Sequence, residues 1–152
     1  MLYYTVKYSD LTDGIREEVS RVADAAYSNE GEPLYDQVVI TARDYDAVRR
    51  LIGDSLSVIV TRMSDVCLYS PVTDGNTVTM RLAFYLPDYP YNTLEQEAED
   101  ELSRFIILFS AAQYLSQKHP ESVQGYTERA QASLVKAVSL LKTRQAPLES
   151  WT

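Results

Sequence analysis

The chain has 152 residues, 45% of them hydrophobic, with only 5 glycines and 6 prolines. That is the make-up of one folded domain and excludes a collagen-like or low-complexity chain. Acidic residues outnumber basic ones 22 to 14 for a formal charge of −8, which argues against a groove that tracks a nucleic-acid backbone and against a polybasic membrane patch, and a single cysteine rules out an intrachain disulfide framework or a cysteine-based zinc site.

Residues 1–9 form an arm in which Leu2, Tyr4, Val6 and Tyr8 alternate with Tyr3, Thr5 and Lys7. It reads either as a short strand or as an extension lying on a neighbour. These first residues lack the basic and apolar halves of a signal peptide, and an apolar run such as Phe105–Phe109 falls far short of a membrane span. Both features fit the cytoplasm.

A first helix is expected from Leu11 to Tyr27, with Leu11, Ile15, Val19, Val22 and Ala26 on one stripe and Asp10, Thr12 and Asp13 suited to its start. Ser28–Pro33 breaks the pattern. Leu34–Ile40 fits a helical turn or a strand. Thr41 and Asp44 have the spacing of a capping box, and Tyr45, Val48, Ile52, Leu56, Ile59, Met63 and Val66 trace the seam of a second long helix.

The period then changes. Residues 66–88 read as a β-hairpin, because Val78, Met80, Leu82, Phe84 and Leu86 alternate with Thr79, Arg81, Ala83 and Tyr85 behind Asp74-Gly75. A capping box at Thr93–Gln96 opens a third helix whose apolar positions, Leu94 to Ala112 widened by Ile106 and Leu108, cover nearly its whole circumference. Such a helix belongs in the centre. Pro120 starts the last helix, carried by Val123, Tyr126, Ala130, Leu134, Ala137 and Leu141, and 145–152 is a tail. The expected fold is mainly α with a small β-hairpin: a single domain, 1–152, with a four-helix bundle-like body and the hairpin between the second and third long helices.

Catalytic chemistry finds little support. His119, the single histidine, precedes Pro120 in a helix-to-helix turn and reads as a terminator. Cys67 lies in an apolar stretch and reads as a small buried hydrophobe. No glycine-rich phosphate cradle is present. Glu97, Asp100 and Glu101 are the best metal candidates, yet the Glu-x-x-His pattern of helix-bundle metal sites is missing, and a carboxylate run at a helix start suits the macrodipole. No catalytic residue, cofactor or metal is therefore assigned.

Contact surfaces are better supported. Of 12 tyrosines, Tyr3 and Tyr4 lie in the arm and Tyr85, Tyr89 and Tyr91 surround the proline-rich exit of the hairpin. Tyrosine is enriched at interfaces, and these five are the candidate interface residues, local packing being the alternative. Tyr45, Tyr114 and Tyr126 fall on helical stripes and are expected in the core. Ser9–Asp36 holds eight acidic residues and two basic ones, whereas Ala130–Thr152 is slightly basic. Copies could associate head to tail, or the acidic helix could present Glu17 and Glu18 to a basic partner, as an adaptor would.

The helix Phe105–Leu115, the Pro120–Tyr126 entry and the Leu140–Pro147 exit, in this order of elements, resemble the small head–tail connector or head-completion proteins of tailed phages and prophages. The resemblance runs over about the last sixty residues, the remainder sharing only the order of elements. It implies a helical body bearing a hairpin, copies that ring a portal, association with portal or tail proteins and the virion, and work done by surfaces. The longer hairpin and the acidic first helix depart from that pattern. No site residue carries over.

Overall fold

The computed structural model describes residues 4–28, 30–63, 67–74, 77–84 and 92–143, with backbone alone for 67–74, 78–84, 92–95 and 141–143. Four long helices form the body: α1 (Tyr8–Ala25), α3 (Tyr45–Arg62), α4 (Asn92–Lys118) and α5 (Val123–Thr143). A single helical turn, α2 (Tyr35–Val38), lies between α1 and α3. That settles Leu34–Ile40 as helix at its centre, with Val38 and Ile40 both buried. Three strands, β1 (Tyr4–Lys7), β2 (Cys67–Asp74) and β3 (Thr77–Phe84), make one antiparallel sheet in the order β1-β3-β2. The fold is thus mainly α with a small β element, the hairpin standing between the second and third long helices as its alternation required.

The helices form where apolar residues recur at three- and four-residue steps. Leu11, Ile15, Val19 and Ala23 are the buried face of α1, and Val48, Ile52, Leu56 and Ile59 that of α3. α4 packs against α1, α3 and α5 together. Its buried set, from Ala98 through Leu102, Phe105, Ile106 and Leu108 to Leu115, therefore runs around most of the helix. Each large side chain so enclosed contributes about 1.5–3 kcal/mol relative to exposure. Polar groups at this centre are satisfied: Ser55 of α3 donates to the Leu51 carbonyl at 2.9 Å and lies 3.0 Å from the Ser110 hydroxyl of α4. Where α1 crosses α4, a Cβ on Gly14 would lie 2.5 Å from Ile107 Cδ1. Glycine is what permits that approach.

One expected helix start comes out differently. α1 begins at Tyr8, three residues before Leu11, with Lys7 as its cap residue and no side-chain cap. Continuity from β1 directly into the helix replaces the Asp10 and Thr12 caps. The capping box before α3 is present: the Thr41 backbone N–H donates to Asp44 Oδ2 at 2.9 Å, and Ala42–Asp44 forms a 3-10 turn leading into the helix. The capping box expected at Thr93–Gln96 lies outside the described side chains, as does Val66.

Of the arm, Tyr4–Lys7 is a strand, and Tyr8 and Ser9 already belong to α1. Tyr4 pairs with Met80 and Lys7 with Thr77, so β1 covers one side of β3 over half its length. β2 runs along the other side, from Cys67 opposite Phe84 to Asp74 opposite Thr77. That register leaves a two-residue connection, whose closing pair is of the hydrogen-bonded kind. Counting back from Asp74, Pro71 falls at a position whose nitrogen faces away from β3. The proline therefore sacrifices no ladder bond, and it removes a donor from the outer edge of the sheet.

Candidate functional site

Tyrosines divide the surface from the interior differently from the sequence expectation. Tyr4 is a correction: it is only 2% exposed, and its hydroxyl shares a hydrogen bond with Ser103 of α4. Burial pushes its phenol up to about 12, the nearby charges of Glu99 and Asp100 adding to the effect and the Ser103 bond opposing it. A ring enclosed between the sheet and α4 has no area to offer a partner. Its role is to fasten β1, and with it the sheet, to the central helix. Tyr3, Tyr85, Tyr89 and Tyr91 lie outside the described residues.

Tyr114 and Tyr126 are core residues as the stripes required, and each carries its hydroxyl to a neighbouring element. Tyr114 donates to the Val39 carbonyl at 3.3 Å and to Asp44 Oδ2 at 3.4 Å, tying the α2–α3 connection to α4. Burial and the Asp44 charge push the Tyr114 phenol up to about 12. Asp44 moves the other way: the Thr41 backbone N–H, first among several stabilising partners, holds its carboxyl below the usual carboxylate range. Tyr126 of α5 donates to Glu18 Oε2 at 3.1 Å and to the Glu18 carbonyl at 3.2 Å, and its phenol is raised chiefly by burial.

This arrangement corrects the reading of Glu18 as part of an outward acidic face. Glu18 is half-buried in a groove of about 320 Å³ among α1, α4 and α5, where Arg21 lies 3.3 Å away and Arg129 3.9 Å. It is an internal acceptor, and Glu17, exposed and 2.8 Å from Arg21, is its solvent-side neighbour. The metal candidates separate as well. Glu101 is buried and ion-paired with Arg104 at 3.2 Å and Lys136 of α5 at 3.3 Å, whereas Glu97 and Asp100 are exposed. Among the described residues, no three His, Cys, Asp or Glu side chains stand close enough together to hold a metal ion. His119 is bound into its turn, with Nδ1 on the Ser122 hydroxyl and Nε2 3.0 Å from Glu121. The Cys67 side chain lies outside the described ones.

Tyr45 corrects the expectation of a core position: as the first residue of α3 it is 39% exposed, with the Arg16 guanidinium 5.8 Å from its ring centroid. Arg49 stands 4.7 Å over Tyr8 and Arg129 5.4 Å over Tyr126. Among the described residues the most exposed large hydrophobic side chain is one that no stripe singled out: Tyr27 at 61%, in the loop between α1 and α2, with Tyr35 at 39% on its far side. Their loop is well braced. Tyr27 bridges to Pro33, the Leu34 N–H donates to the Ala26 carbonyl at 3.0 Å, and Ser28 Oγ accepts from the Glu32 N–H at 3.0 Å. Gly31 takes φ +81°, a left-handed turn that glycine adopts without strain. A signal was available in the sequence: no lysine or arginine occurs between Arg21 and Arg43, while Asp24, Glu30, Glu32 and Asp36 all do.

No helix of the described chain is long and apolar enough to cross a membrane. No family model, no curated protein and no solved structure matches the chain, so its surfaces are read on their own chemistry.

Proposed function

We propose that this chain is a non-enzymatic assembly protein that acts by self-association and by docking to a larger protein structure, in the manner of a phage head–tail connector. The observation that supports the reading is the insertion of the β2–β3 hairpin between α3 and the central helix α4, in a body of four long helices. The Tyr85, Tyr89 and Tyr91 segment joins that hairpin to α4 in the sequence, which makes it the natural contact element. On this reading the chain is made in the cytoplasm, needs no cofactor and ends in the virion, against portal or tail proteins.

The test is light scattering across a wide concentration range, with the chain alone and with an isolated portal ring. Self-association or a complex with the ring is expected, weakened when Tyr89→Ala and Tyr91→Ala are introduced together. A chain that stays monomeric and leaves the ring unbound overturns the proposal. A complex indifferent to both substitutions overturns the assignment of the hairpin exit.

A further inference from the structure

We infer that the Tyr27 and Tyr35 loop docks a basic segment of a protein partner, arginine side chains seating on the two tyrosine rings between carboxylates. The exposed rings carry the argument. Three tyrosines of this chain, Tyr8, Tyr45 and Tyr126, already have one of its own arginines over the ring. Among the described residues no cation stands over Tyr27 or Tyr35, although they are among the more exposed large hydrophobic side chains.

Charge then selects the occupant. The loop and its flanks carry four carboxylates and no internal cation, so a neutral or acidic partner would be repelled or left unpaired, and a guanidinium meets both a π face and a counter-charge. The backbone bonds that clasp the loop hold it in place before binding, which lowers the ordering cost of an interface. The inference stands apart from self-association through the hairpin, and a strictly monomeric chain leaves it intact.

The experiment titrates the full chain calorimetrically with a short peptide of alternating arginine and glycine. Tyr27→Ser with Tyr35→Ser leaves the charge unchanged and is expected to weaken binding about tenfold, the loss of two cation–π contacts. Tyr27→Phe with Tyr35→Phe keeps the rings and should bind as the parent does. Glu30→Gln with Glu32→Gln should weaken binding and flatten its salt dependence, whereas the same charge change at Asp46→Asn with Glu97→Gln should leave affinity within about twofold. Circular dichroism confirms that each variant is folded. Equal losses from the two carboxylate pairs, no effect of removing the rings, or no binding by the parent chain overturns the inference.

Discussion

Replacing Tyr4 with phenylalanine separates its two contributions to the fold. The substitution keeps the enclosed ring and removes the hydroxyl shared with Ser103. Ser103 is half-buried and regains water, so the cost at neutral pH is that of one hydrogen bond, about 1 kcal/mol. The phenol adds a pH dependence of known sign. Burial raises it from 10.0 to about 12, so the unfolded chain gives up its proton first. The stability conferred by the neutral phenol is complete below pH 10 and is lost as pH climbs toward 12, at about 1.4 kcal/mol per pH unit. Tyr4→Phe has no proton to lose. Its deficit should close near about pH 11, and beyond that the variant should be the more stable protein. Urea unfolding followed by circular dichroism from neutral to alkaline pH measures the difference directly, and the other tyrosines cancel between the two proteins. A deficit that stays constant across the alkaline range would show that Tyr4 ionises as an exposed phenol, which its enclosure forbids.

The other expectations concern single contacts. Gly14→Ala should gain about 1 kcal/mol of helix propensity, offset by the cost of swinging the terminal methyl of the part-exposed Ile107 aside, for a net change within about 1 kcal/mol of zero. In an Ile107→Ala background the same change should stabilise, and equal effects in both backgrounds would mean that the α1–α4 crossing is looser than the 2.5 Å approach requires. Asp44→Ala removes the box acceptor and the Tyr114 partner, for an expected cost of about 1–2 kcal/mol in chemical denaturation. Because the Asp44 carboxyl is held below its ordinary value, that deficit is full at neutral pH and should shrink as acid protonates the native carboxylate. At the surfaces, Tyr89→Ala with Tyr91→Ala should weaken assembly in light scattering, and Tyr27→Ser with Tyr35→Ser should weaken capture of an arginine peptide without changing stability by more than about 0.5 kcal/mol.

Much of the architecture was legible along the chain because burial imposes a period. The stripes of α1, α3, α4 and α5 named most of their core positions, and alternation before α4 marked the hairpin. The Thr41–Asp44 box was readable for a related reason: a cap acts over three residues, well within local spacing. The candidate surface was harder to read. Tyr4 alternates like an exposed arm residue, and only the pairing of β1 with β3 and the docking on α4 turn it inward. Glu18 belongs to an acidic run, yet α5 arrives beside it with Tyr126 and Arg129, more than a hundred positions away.

Sequence by itself therefore determined the helical class, the inserted hairpin and the Thr41–Asp44 box, since each follows from periodicity or from contacts a few residues apart. Tertiary structure alone decided which tyrosines and carboxylates face water. Exposure depends on elements that meet from distant parts of the chain, and neither residue type nor local spacing encodes that meeting. Tyr4 and Glu18 were drawn inside by such encounters, and Tyr27 was left outside.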